Sequence, residues 1–180
     1  VNEPNLQTEF VGYDRSSVDS EVLGIFKDDE KIAELKEGER AYIVLEKSCF
    51  YGESGGQIGD TGTITSPSAQ VSVLDTKKFN RMFLHDCVVE QGTLKAEQSV
   101  SAHIDKIKRE MVMRNHSATH LLHFALRQVL GDHVVQRGSL VTEERTRFDF
   151  SHESKIDAAH IASIENLVNE IVKNNTMTEI

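Results

Sequence analysis

Cysteine is scarce in this sequence. Only Cys49 and Cys87 occur among its 180 residues, and they are far apart. A disulfide scaffold is therefore excluded, and a reducing compartment is expected. No run of about 18 apolar residues occurs, which excludes an ordinary hydrophobic spanning helix. The opening Val1-Asn2-Glu3-Pro4 does not resemble a signal peptide. These absences predict a soluble, cytoplasmic protein with no membrane partner. Excess positive charge is absent too: 20 Lys and Arg stand against 29 Asp and Glu, a formal net charge of −9. A nucleic-acid partner would have to be held by a local site, because the global field repels it. Repeats and low-complexity tracts are also missing. The start at Val1 and the polar end from Asn174 to Ile180 predict a fragment excised from a longer chain.

Hydrophobic residues make up 38% of the chain, enough for a buried core, so disorder is not indicated. Up to about residue 105 the pattern is one of short strands and turns. Glu21–Lys27 and Lys31–Leu35 flank the turn Asp28-Asp29-Glu30, a predicted hairpin. Further strands are predicted at 41–45, 60–65, 69–75, 82–90 and 99–104, with turns at Gly38-Glu39, Ser66-Pro67 and Gln91-Gly92. Short strands at this spacing favour a small barrel or sandwich. From Lys106 the period changes to about 3.6, predicting a helix capped by Asp105 and stopped at Gly131. Strands at 133–141 and 145–150 follow, joined at Thr142-Glu143-Glu144. A second helix capped by Ser154 or Asp157 carries the stripe Ile161, Ile164, Leu167, Val168 and Ile171. The expected fold is α+β. A small antiparallel β-barrel with a glycine-rich loop (1–105) precedes a helix–strand–strand–helix subdomain (106–180) that is incomplete at its C-terminus.

The first helix holds the most distinctive chemistry, in Arg114-Asn115-His116-Ser117-Ala118-Thr119-His120-Leu121-Leu122-His123. A helix turns about 100° per residue, so His116 and His120 share a face, with His123 close by and Thr119 at its edge. Two imidazoles one turn apart suit a tetrahedral metal, while a solvated polar face is the plainer alternative. Met111, Leu121, Leu122, Ala125, Leu126 and Val129 are expected on the opposite, apolar side. The histidines would share their face with Arg109 and Arg127, leaving metal, phosphate and water all open as occupants. Lys106, Lys108, Arg109 and Arg114 form a basic group at the helix entrance that phosphates or water could meet.

The second informative stretch is Cys49-Phe50-Tyr51-Gly52-Glu53-Ser54-Gly55-Gly56-Gln57-Ile58-Gly59-Asp60-Thr61-Gly62. It lacks the Lys-Ser/Thr ending of a P-loop and no helix follows, so a phosphate cradle is disfavoured. It reads as a loop between barrel strands or as a pocket wall.

The two stretches occur in order with Thr8-Glu9-Phe10-Val11-Gly12-Tyr13-Asp14, Gly138-Ser139-Leu140 and Arg147-Phe148-Asp149-Phe150-Ser151-His152. This series resembles the editing region of bacterial-type alanyl-tRNA synthetases across nearly the whole chain. Free-standing alanyl-tRNA editing proteins and the threonyl-tRNA synthetase editing domain are similar more distantly, in the HxxxH half.

The resemblance implies hydrolysis of the ester in tRNA(Ala) mischarged with serine or glycine. It implies Thr119 and Gln136 as catalytic-pocket residues, and His116 and His120 as zinc ligands completed by a downstream CxxxH motif. The chain does not reach that motif, so weak or absent zinc is expected; Cys49 and Cys87 lie outside it. Gly55, Gly56, Gln57 and Arg114 are the implied substrate-binding residues. The implied partners are the tRNA(Ala) acceptor end and the rest of a parent synthetase. ATP and magnesium belong to that parent's catalytic domain alone, since no ATP-binding segment is present. The alternatives are a tRNA-binding or structural module without catalysis, a free-standing trans-editing protein, and a metal hydrolase of an unrelated ester.

Overall fold

The computed structural model describes residue 3 and residues 6–174. In chain order the strands are β1 (Glu9–Phe10), β2 (Ser17–Lys27), β3 (Glu30–Ile32), β4 (Glu34–Lys36), β5 (Arg40–Leu45) and β6 (Lys47–Ser48), then β7 (Gly62–Ser66), β8 (Ala69–Phe79), β9 (Met82–Lys95) and β10 (Ser99–Ile104). Helix α1 (Lys106–Leu130), strands β11 (Gln136–Val141) and β12 (Thr146–Phe150), and helix α2 (Ala158–Lys173) complete it. The chain divides into two compact units, Val1–Glu110 and Met111–Ile180, with the boundary inside α1.

The first unit is a closed antiparallel barrel. Its wall runs β10-β7-β8-β9-β5-β2, and β2 pairs again with β10, so the sheet has no free edge along that path. Closure follows from period-two patterning. Along β2, Val18, Ser20 and Val22 point inward while Ser17, Asp19 and Glu21 face water. Ile25, Leu35, Ile43, Leu45, Phe50, Ile64, Val71 and Leu94 meet inside, all fully buried.

The β2–β3 hairpin turns on Asp28 and Asp29, both in left-handed backbone (φ 50° and 66°). That is the two-residue turn whose twist matches flanking strands. The predicted strand 31–35 is in fact two strands broken at Ala33. β3 stays with β2, whereas β4 crosses to β9 and delivers Leu35 to the core. Gln91-Gly92, expected as a turn, lies within β9 at a register shift against Gln70 and Val71. Continuing ladder bonds on both sides override the local turn signal. The segment expected as 69–75 runs on to Phe79 and turns at Asn80-Arg81 into β9. The strand expected from 60 begins at Gly62, because Asp60 serves the loop before it.

The second unit is α+β. Asp105 accepts the Lys108 N–H at 3.0 Å and caps α1; the Gly131 N–H closes its end on the Arg127 carbonyl. Asp157, not Ser154, caps α2 by accepting from His160 N. The β11–β12 hairpin turns at Thr142, whose N–H bonds the Arg145 carbonyl. Ala125, Leu126, Val134 and Ile164 form the buried centre, with Leu122, Val129, Phe148, Phe150, Leu167 and Val168 around them. Four expected stripe members lie outside it: Met111 and Ile161 are exposed, Leu121 and Ile171 are half-buried, and Val112 is the residue buried near the start of α1. Among the described residues neither helix is long and apolar enough to cross a membrane.

Candidate functional site

His116 and His120 lie one turn apart on α1, their rings stacked with centroids 5.0 Å apart and planes 12° apart. Partial burial, and then the neighbouring His120, lower the pKa of His116 and favour its neutral form. Neutral imidazole is the form that binds metal. The donor chemistry thus fits half of a tetrahedral zinc set, and no group of three or more His, Cys, Asp or Glu converges among the described residues. His123 points elsewhere. Its ring lies 5.1 Å from Phe148, and its Nε2 is buried without a hydrogen-bond partner among the described residues.

Thr119 is buried, at 6% exposure, and its hydroxyl donates to the Asn115 carbonyl at 2.8 Å. This is the local bond common to mid-helix threonines. The donated proton leaves the oxygen lone pairs able to accept. Asn115 is itself fixed, its amide nitrogen donating to Thr142 O at 2.8 Å and Glu143 O at 3.2 Å. Thr119 therefore rests on a residue anchored to the β11–β12 turn. Gln136 opens β11, is exposed, and donates from Nε2 to Ser139 Oγ at 3.3 Å. Arg114 is exposed on α1.

Gly55, Gly56 and Gln57 belong to the barrel unit. Ser54 and Gln57 exchange backbone bonds at 3.0 and 3.2 Å around a turn in which Gly55 and Gly56 have φ 60° and 84°. Two successive positive φ values are what glycine adopts at little steric cost. Gln57 is buried. The loop runs along β8: Glu53 N bonds Thr76 O, and a Cβ at Gly59 would fall 2.1 Å from that same oxygen. The stretch is thus a loop laid on barrel strands, not a phosphate cradle at a helix start.

Arg109 corrects the expected basic face. It is not displayed with the histidines but buried with Asp60, at 12% and 7% side-chain exposure. Its Nε donates to both Asp60 oxygens at 2.8 Å, and its other nitrogens reach Gly12 O and Cys49 O, each at 3.0 Å. Arg127 likewise pairs with Asp132 at 2.7 Å. The cationic entrance of α1 therefore loses Arg109, because burial binds a charge to its partner.

The sequence profile of tRNA synthetases class II (A) matches residues 1–108. The chain belongs to this family. Over 172 residues the synthetase segment is 45% identical to the alanine–tRNA ligase of Wolbachia pipientis wMel, covering 94% of this chain and 20% of the relative. It is 45% identical over 170 residues to that of Rhizobium meliloti (strain 1021), covering 94% and 19%. The alanine–tRNA ligase of Wigglesworthia glossinidia brevipalpis is 43% identical over 173 residues, covering 96% and 20%. The segment thus spans about one fifth of the length of these relatives.

Two structural contributors escaped sequence reasoning. The Arg109–Asp60 pair gave no signal because the partners are 49 positions apart. The aromatic tier joins Phe10 and Tyr13 to Phe83, some 70 positions further along the chain.

Proposed function

We propose that this chain is the segment of an alanine–tRNA ligase that hydrolyses the ester of tRNA(Ala) wrongly charged with serine or glycine. The observation that carries the reading is α1: a stacked His116–His120 pair with His116 held neutral, and a buried threonine hydroxyl, Thr119, between them in sequence. The names of its relatives support the alanine system, and the tRNA acceptor end is the partner this requires.

The selectivity has a physical basis. Serine differs from alanine by one hydroxyl, which an apolar synthetic pocket cannot strongly reject. The Thr119 hydroxyl spends its proton on Asn115 and so presents acceptor lone pairs. A serine hydroxyl can donate to such an oxygen; an alanine methyl cannot, and leaves it without a partner. His116 and His120 would hold zinc together with ligands from beyond the described residues, and bound zinc would supply Lewis-acid polarisation or an activated water. Gln136 and Arg114 are the proposed polar contacts to the substrate and its RNA, and Gly55, Gly56 and Gln57 the proposed loop contacts.

The deciding experiment measures deacylation of seryl-tRNA(Ala) and alanyl-tRNA(Ala) by this chain and by a version extended at its C-terminus. Serine-specific cleavage that appears or rises on extension supports editing. Absence of cleavage in both, with tRNA binding retained, would establish a binding module instead.

A further inference from the structure

The barrel unit carries a cleft of about 400 Å³, walled by residues of that unit. Its volume falls in the range of roughly 300–1,000 Å³ typical of small-ligand sites. One wall is a tier of rings. Phe83 is buried in the barrel, Phe10 stacks on it with centroids 5.2 Å apart and planes 2° apart, and Tyr13 meets Phe10 edge-on at 5.0 Å. Tyr13 is nevertheless 85% exposed. An isolated surface tyrosine would sample many rotamers; this one is seated against a ring fixed to the core and offers its open side to the cleft. The other wall is cationic. Lys78 near the end of β8 and Arg81 in the β8–β9 turn both line it, and no acidic residue does. Among the described residues neither side chain has an ion-pair partner, in a chain whose net charge is −9.

We propose that this cleft binds single-stranded RNA, with one nucleobase stacked on Tyr13 and the adjoining phosphates held by Lys78 and Arg81. The combination selects the ligand. An acidic peptide would satisfy the cations but leave the ring without a stacking partner, and an apolar peptide would do the reverse. A nucleotide carries a flat π surface and a negative charge a few ångströms apart, which is the pairing that single-strand sites use. Duplex is disfavoured because its bases are already stacked. Lys78 and Arg81 provide the local positive site that an acidic chain needs to hold RNA. The proposal rests on the family membership and on this cleft, and does not require ester hydrolysis on α1.

The test is fluorescence anisotropy of a labelled oligoadenylate of about ten nucleotides with the whole chain at about 50 mM salt. Tyr13→Ala is expected to weaken binding roughly tenfold, while Tyr13→Phe, which keeps the ring, binds as the parent does. Tyr13 is exposed, so neither change threatens the fold. Replacing Lys78 and Arg81 together with alanine should weaken binding and lower the salt slope by about 1.4, at roughly 0.7 for each single-strand phosphate no longer neutralised. Lys31→Ala, which removes one positive charge from the β2–β3 hairpin away from the cleft, should do little. Unchanged affinity in Tyr13→Ala overturns the proposal, as does a Lys31→Ala effect equal to the cleft variants, which would mark diffuse attraction. So does a glutamate-rich peptide that displaces the RNA at equal concentration, or no binding by the parent chain. Oligoadenylate carries no aminoacyl ester, so its binding tests the cleft separately from the editing reading.

Discussion

Arg109 and Asp60 form a buried ion pair that joins the first turns of α1 to the loop ahead of β7. The same guanidinium bonds the carbonyls of Gly12 and Cys49, and Asp60 also accepts the Tyr51 N–H at 2.8 Å. Three segments distant in sequence converge on one cation. Removing it strands a buried carboxylate and two buried carbonyls at once.

Arg109→Ala should therefore destabilise the chain by about 3–5 kcal/mol, measured as the free energy of urea unfolding. Arg109→Lys should recover only part of that, because one ammonium cannot copy the planar fork that reaches both the carboxylate and the carbonyls. A lysine variant as stable as the parent would show that charge alone matters.

Stability should fall below neutral pH because of His85. The ring is fully buried, with Nδ1–H donating to Ile43 O at 2.8 Å and Nε2 accepting from Ser48 Oγ at 2.7 Å. Burial lowers its pKa from 6.5 to about 4. The unfolded chain then takes up a proton near pH 6.5 while the folded one does not, so stability present above that pH declines as pH falls toward 4. About 2 kcal/mol should be lost between pH 7.5 and pH 5. His85→Gln should be less stable at pH 7.5 but lose distinctly less over the same interval; equal losses would assign the dependence to other groups.

Two glycines of the loop should respond differently to alanine. Gly59→Ala drives a Cβ against Thr76 O and should cost about 3 kcal/mol, since backbone must move. Gly55→Ala meets nothing within 4 Å and bears only the strain of φ 60°, about 1 kcal/mol. Thermal or urea unfolding of the two variants checks the order, and a reversal would mean that the loop does not lie on β8 as described.

Thr119→Val replaces the hydroxyl by a methyl of similar volume. Losing the bond to Asn115 should lower stability by about 1 kcal/mol. The larger effect expected is on selectivity, as a reduced ratio of seryl- to alanyl-tRNA cleavage in the C-terminally extended chain. Normal discrimination by this variant would remove Thr119 from the recognition site.

Local patterning was legible in the residues alone wherever neighbours decide the outcome. Asp28-Asp29 announced its hairpin, Ser99–Ile104 its strand, and Asp105 and Gly131 the two ends of α1, because turn and cap chemistry acts over a few residues. The His116–His120 face was legible for the same reason, as helical geometry sets it. Partner choice was not. That β4 leaves its hairpin for β9, that Gln91-Gly92 stays inside a strand, and that Arg109 turns inward to Asp60 are all settled by groups far off in sequence. Burial of a charge, closure of a barrel and the stacking of Phe10 on Phe83 depend on which surfaces are left to meet once the chain has collapsed, and no local period encodes that.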